Sequence, residues 1–185
     1  DETWQHTSEI LDALEARFPT PPLYPKGPVQ RIASALLELY ADEMLVMPAM
    51  HYRWSFPESV AKARADFAAA SGDAQTARLF ADRMSGSIRA LGVVPESAAA
   101  IEAHTRDLLA ALETHFAAEP YLLGGRPSLG DCALMGPLYA HLYLDAVPGR
   151  LLRESATRTD YAHPKLKDIV RILDEAARDG GAKRR

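Results

Sequence analysis

Apolar residues recur along this 185-residue chain at intervals of three and four, without the sustained alternation that a half-buried strand needs. Ile10, Leu11, Leu14 and Phe18 form one stripe, opened by Thr7 or Ser8 and closed by Pro19. The stretch "PTPPLYPKGP" (19–28) follows, and its prolines fix φ and remove N–H donors, so neither helix nor strand propagates through it. A long helix is predicted from Val29, with Ile32, Ala33, Leu36, Leu37, Tyr40, Met44, Leu45 and Met47 inward, kinked or ended by Pro48. Another is expected from Pro57 through Ala70. Ala77, Phe80, Ala81, Met84, Ile88 and Leu91 give the cleanest stripe, stopped by Gly92. Ile101, Leu108, Leu112 and Phe116 mark a further helix ending before Pro120. Cys132, Met135, Leu138, Tyr139 and Leu142 line the next one. Pro164 opens the last, lined by Leu166, Ile169, Val170 and Leu173. The pattern is that of an all-α helical bundle.

One helix start is announced with unusual force, in "GGRPSLGDCALMGPLYAHLYL" (124–144). Ser128 and Asp131 stand three apart, the spacing of a capping box. Each side chain can accept from a backbone N–H left free in the first turn, Ser128's from Asp131 and Asp131's from Ser128. Asp131 also places negative charge at the positive end of the helix dipole. Gly124 and Gly125 let the chain turn sharply beforehand. Pro137, inside the helix, leaves the Ala133 carbonyl without its helical donor, and a packing bend is the expected result.

Composition narrows the function classes. A net charge of −4 argues against nucleic acid as a partner, and the basic "AKRR" at the end reads as a solvated tail. No apolar run approaches the roughly 20 residues that span a bilayer, so no membrane role is expected. The first residues, "DETWQHTSEI", do not resemble a signal peptide. Cys132 is the only cysteine; an internal disulfide is excluded, and a reducing cytoplasm is the expected setting.

Few residues pattern as chemistry. His141 and Asp145 share a helix face, but no further ligand stands at a persuasive spacing, so they read as helix-surface polar groups and no metal is expected. Cys132 sits in a first helical turn, where a thiol pKa can fall, yet no partner histidine is evident and packing as a small hydrophobe is expected. "MPAMHYRWSFPE" (47–58) differs in kind. It gathers Met47, Met50, His51, Tyr52, Trp54 and Phe56 at the proline of a long helix, as an adaptable apolar pocket would. The competing reading is that Trp54 and Phe56 plug the end of the bundle.

These pieces together resemble the glutathione S-transferase family. "PSLGDCALMGPLY" looks like the buried sixth helix of its all-helical C-terminal domain, with Ser128 and Asp131 on the capping-box positions. "RIASALLELYADEML" looks like its fourth helix, and "YAHPKLKDIVRILDEA" like its final one. "WQHTSEILDALEARFP" resembles the last strand edge and third helix of the thioredoxin-like N-terminal domain. The resemblance implies a remnant of that domain over 1–20, a linker over 21–28, the helical domain over 29–178 and a tail over 179–185. It implies glutathione as co-substrate of a complete protein, with Gln5, His6 and Thr7 at the γ-glutamyl end. His6 stands where the family has an acid or glutamine, and Thr7 falls on its hydroxyl position. Met47, His51, Tyr52 and Trp54 would line the hydrophobic substrate pocket. No catalytic residue is assigned, because the family's thiol-activating group lies in the thioredoxin-like domain. A homodimer and a small hydrophobic ligand are further implications. A non-catalytic helical interaction or assembly module is the alternative reading.

Overall fold

A computed structural model of the chain describes residues 5–157. The helix expected from Pro164, lined by Leu166, Ile169, Val170 and Leu173, and the tail over 179–185 lie outside the described residues. Within them the order is α1 (Thr7–Arg17), α2 (Pro28–Leu39), α3 (Val46–Trp54), α4 (Pro57–Ser71), α5 (Ala74–Ser87), α6 (Pro95–Ala118), α7 (Leu129–Met135) and α8 (Ala146–Thr157). There is no strand among them, only an isolated bridge between Tyr121 and Gly124. The architecture is all-α.

The long helix expected from Val29 is two helices joined by a π-helical turn, Tyr40–Met44, where the Leu45 N–H reaches back five residues to the Tyr40 carbonyl. Pro48 does not kink anything. It lies in the first turn of α3, where a missing N–H leaves no carbonyl unserved. At Pro137 the change is one of helix type: α7 stops at Met135 and a π-helical stretch, Gly136–Tyr143, begins where the proline removes the regular donor. Other ends follow local chemistry. The Asp73 carboxylate caps α5 by accepting from the N–H groups of Gln75 and Thr76, 3.2 and 3.0 Å. At α1 the N-cap is His6, with φ 63°, rather than Thr7 or Ser8. Ser8 instead donates its hydroxyl to Glu38 at 2.9 Å, tying α1 to α2.

Two apolar clusters hold the helices. Ala49, Met50, Trp54, Ala63 and Ala81 join α3, α4 and α5, with Phe67, Met84 and Ile88 packed on them. Ala41, Leu45, Leu112 and Leu134 join the first π turn to α6 and α7. α2 and α7 approach each other closely. A Cβ on Gly130 would meet Leu37 at 3.0 Å, and the Gly130 N–H is taken by the buried Ser34 hydroxyl, 3.3 Å.

Several stripes are rotated from their expected positions. Ile32 and Leu36 point outward on α2, as do Val29 and Leu39. Phe80 is half exposed on α5, so only Ala77 and Ala81 of that stripe are fully buried. Around α7 the inward residues are Leu129, Leu134 and Leu142, while Cys132 and Met135 face out. Each error has the same origin. A helix face of apolar residues wider than its contact admits two adjacent stripes, and only the neighbour's shape chooses between them.

Candidate functional site

The aromatic stretch of α3 is packed inside the bundle. His51, Tyr52 and Trp54 are buried and Met47 is half-buried. Trp54 turns into the first cluster, its ring 6.2 Å from that of Phe67, with its indole N–H unpartnered. It belongs to the core. His51 and Tyr52 turn instead toward α6. His51 Nε2 lies 3.2 Å from the Glu102 carboxylate, while its Nδ1 is buried without a partner. Tyr52 stacks on Phe56, centroids 5.5 Å apart, and its hydroxyl hydrogen-bonds Thr105. Burial, then the nearby Glu102 charge, pushes the Tyr52 pKa above its ordinary value. Glu102 in turn faces Arg106 at 3.7 Å. His51 thus faces the Glu102–Arg106 pair on α6, with Met47 one helical turn before it on α3.

The next residue in sequence does something the pattern did not reveal. Arg53 donates from Nε to both oxygens of Asp145, 2.9 and 3.2 Å, and from Nη2 to the Ala140 carbonyl, 3.1 Å. Asp145 is 3% exposed, so it is a buried ion-pair partner and not a helix-surface polar group. Burial raises its pKa, and the Arg53 guanidinium opposes that rise. His141, one turn earlier, is half-buried, with Nδ1 unpartnered. Burial and Arg53 together lower its pKa to about 4, which keeps the ring neutral. Nothing here assembles a metal site: among the described residues no three His, Cys, Asp or Glu side chains stand together as a metal would require.

At the start of α7 the capping box is present, and its weight falls on Asp131. One carboxylate oxygen accepts from the Ser128 N–H at 2.8 Å and from the Ser128 hydroxyl at 2.7 Å. The other accepts from the Leu122 N–H at 2.9 Å, a contact nine residues back that the box pattern does not contain. The Asp131 N–H is met by the Ser128 carbonyl at 3.1 Å. Asp131 therefore fixes both a helix and the loop leading into it. Cys132 is exposed beside it, its thiol pushed up by partial burial and by the Asp131 charge. That shift is opposite to the one a nucleophile needs.

Gln5, His6 and Thr7 are exposed at the N-terminal end of α1. The 18–27 connection joins α1 to α2. Glu15 holds that connection by accepting from the N–H groups of Leu23 and Tyr24, 3.0 and 3.3 Å. Leu23 then accepts from the Leu129 N–H at 3.3 Å. Between this connection and the loop before α7 lies a cleft of about 280 Å³. Sequence patterning missed it, because its walls come from segments about 100 residues apart that carry no periodicity.

Residues 95–178 match the family described as "Glutathione S-transferase, C-terminal domain", a span that covers α6, α7 and α8. No curated protein matches the sequence. The helical architecture and the capped α7 agree with that match, which covers the second half of the chain.

Proposed function

From the match of residues 95–178 to the glutathione S-transferase C-terminal domain, we propose that this chain is the helical substrate-binding part of a glutathione transferase-like protein. The complete protein would conjugate glutathione to hydrophobic electrophiles. The match over residues 95–178 carries the reading. Met47, His51 and Tyr52 would contact the hydrophobic substrate, with Trp54 shaping that surface from the core side. Glutathione would be the co-substrate, with Gln5, His6 and Thr7 nearest its γ-glutamyl end. A homodimer in a reducing cytoplasm completes the proposal.

The chain by itself is not expected to activate the glutathione thiol. The hydroxyls of Tyr24, Tyr40 and Tyr52 and the Cys132 thiol are all shifted upward, chiefly by burial, and a phenol so shifted is a poorer donor to a thiolate. The test is to mix the chain with glutathione and 1-chloro-2,4-dinitrobenzene, and separately to titrate a non-reactive aromatic analogue against intrinsic fluorescence. Saturable binding weakened by Tyr52→Ala, with turnover at the uncatalysed rate, is the expected result. Absence of saturable binding overturns the substrate surface. Turnover well above background overturns the assignment of no catalytic residue.

One observation favours the alternative, a helical interaction module. Val29, Ile32, Leu36 and Leu39 form an exposed apolar row along α2, with Val29 78% exposed. Sedimentation of the chain against an Ile32→Asp, Leu36→Asp variant tests it: association that the variant abolishes supports an interface there.

A further inference from the structure

The cleft between the 18–27 connection and the loop before α7 is built for a ligand that the hydrophobic-substrate reading does not use. Leu23, Pro25, Leu123 and Pro127 give it apolar walls, and Lys26, Gln30 and Arg126 bring polar ends into it. Lys26 and Arg126 come from opposite walls, and neither has an ion pair among the described residues. Of the carboxylates bonded to these walls, Asp12 accepts from the Tyr24 hydroxyl, and Glu15 and Asp131 are committed to main-chain donors. Glu15 is held by the N–H groups of Leu23 and Tyr24, and Asp131 by those of Leu122 and Ser128. Their charge is therefore turned into the backbone, while the two cations remain for something else.

The walls are also fixed in place. The Leu129 N–H bonds the Leu23 carbonyl, and the Gln30 amide donates to the Leu123 carbonyl at 3.3 Å, joining one wall to the other. Walls tied together by such bonds lose little freedom when a ligand enters. Its volume, about 280 Å³, stands at the small end of ligand sites, which run from ~300 to 1,000 Å³. That size suits a molecule of one ring. The mixture of apolar walls with two unopposed cations selects the rest of its chemistry.

We propose that this cleft binds a small organic anion, a carboxylate on a compact apolar body. The carboxylate lies between Lys26 and Arg126, and the body rests on Leu23, Pro25, Leu123 and Pro127. Arg126 offers two parallel donors to the carboxylate and Lys26 a point charge. The proposal is independent of where a hydrophobic electrophile sits.

Benzoate, benzamide and inorganic phosphate are the probes, titrated into the whole chain and followed by two-dimensional amide NMR. Benzoate is expected to saturate with a roughly millimolar Kd, shifting the amides of Gln30, Leu123 and Arg126, and to weaken as salt is raised. Benzamide, of the same shape without the charge, should bind at least about tenfold more weakly, as should phosphate, which has the charge without the body. Lys26→Ala and Arg126→Gln, both surface changes, should each weaken benzoate severalfold and leave the spectrum elsewhere unmoved. Equal binding of benzamide overturns the role of the cations, and equal binding of phosphate overturns that of the apolar walls. Benzoate shifts confined to residues outside the cleft overturn the site itself, whatever the variants do.

Discussion

Replacing Asp131 by alanine removes a carboxylate that serves two backbone donors and one hydroxyl. The Ser128 N–H loses its acceptor at 2.8 Å, in a residue 3% exposed, so water does not replace it. The Leu122 N–H loses its acceptor at 2.9 Å in a half-buried position where water partly can. Hydrogen bonds to a charged group contribute about 1.5–3 kcal/mol each, and a buried donor left unmade costs about 1–3 kcal/mol. Taking the full cost at Ser128 and half at Leu122 gives a loss of about 3 kcal/mol. An exposed helix cap costs nearer ~1 kcal/mol. Asp131→Asn keeps one acceptor oxygen and should lose roughly half as much as the alanine variant. Urea melts at constant m report the equilibrium loss. Paired folding and unfolding rates divide it, and slower refolding is expected if α7 forms in the folding nucleus. A loss below about 1 kcal/mol in the alanine variant would mean that water reaches Ser128, and the placement of this helix start inside the bundle would be refuted.

Arg53→Ala should cost about 3–5 kcal/mol near neutral pH, because it strands a buried Asp145 charge. The loss should shrink in melts run at acid pH, where Asp145 protonates and needs no cation. His141, with its pKa lowered to about 4 in the folded chain, binds fewer protons there than when unfolded. Stability is therefore fully present above about pH 6.5 and falls as pH drops toward 4, by up to about 3 kcal/mol; His141→Asn should flatten that slope in melts taken across the range. Gly130→Ala should destabilise by roughly 1–2 kcal/mol despite the better helix propensity of alanine, since the new methyl meets Leu37 at 3.0 Å. Leu37→Ala removes the Cδ1 contact but keeps the Cβ one, so it should relieve part of that clash, and a double-mutant cycle showing no coupling between the two positions would contradict the close approach.

The helices were largely legible because their punctuation is local. Pro28, Pro57 and Pro95 open helices in the first turn, Gly72 and Gly92 end helical stretches with positive φ, and Ser128 with Asp131 marks α7. What each face touches was much less legible. Ile32 and Leu36 look like core by spacing, yet they are exposed, because α2 meets α7 through Ser34, Leu37 and Gly130 instead. The aromatic stretch at 47–58 was visible as a group, but its division was not. Trp54 turns to the α4–α5 side and His51 and Tyr52 toward α6, a split set by which helices arrive on either side of α3. The Arg53–Asp145 pair joins residues 92 apart, and neither has a neighbour in sequence that announces it. The same holds for the contact between Leu122 and Asp131. A cap pattern predicts bonds within its own turn and says nothing about a loop that borrows the remaining oxygen.

The two π-helical segments bear on how such a domain can change length. A π turn accommodates one residue more than a regular turn, so it behaves as an insertion already absorbed by the helix. Removing one residue from Tyr40–Met44 would let the α2–α3 junction continue as an ordinary helix, but everything after it would rotate by about 100° relative to α2. Leu45, now fully buried, would leave the second cluster, and Arg53 would swing away from Asp145. The extra residue thus acts as a fixed angular offset between the two halves of a nearly continuous rod. Shortening this junction is tolerable only if a compensating residue is gained elsewhere before α3.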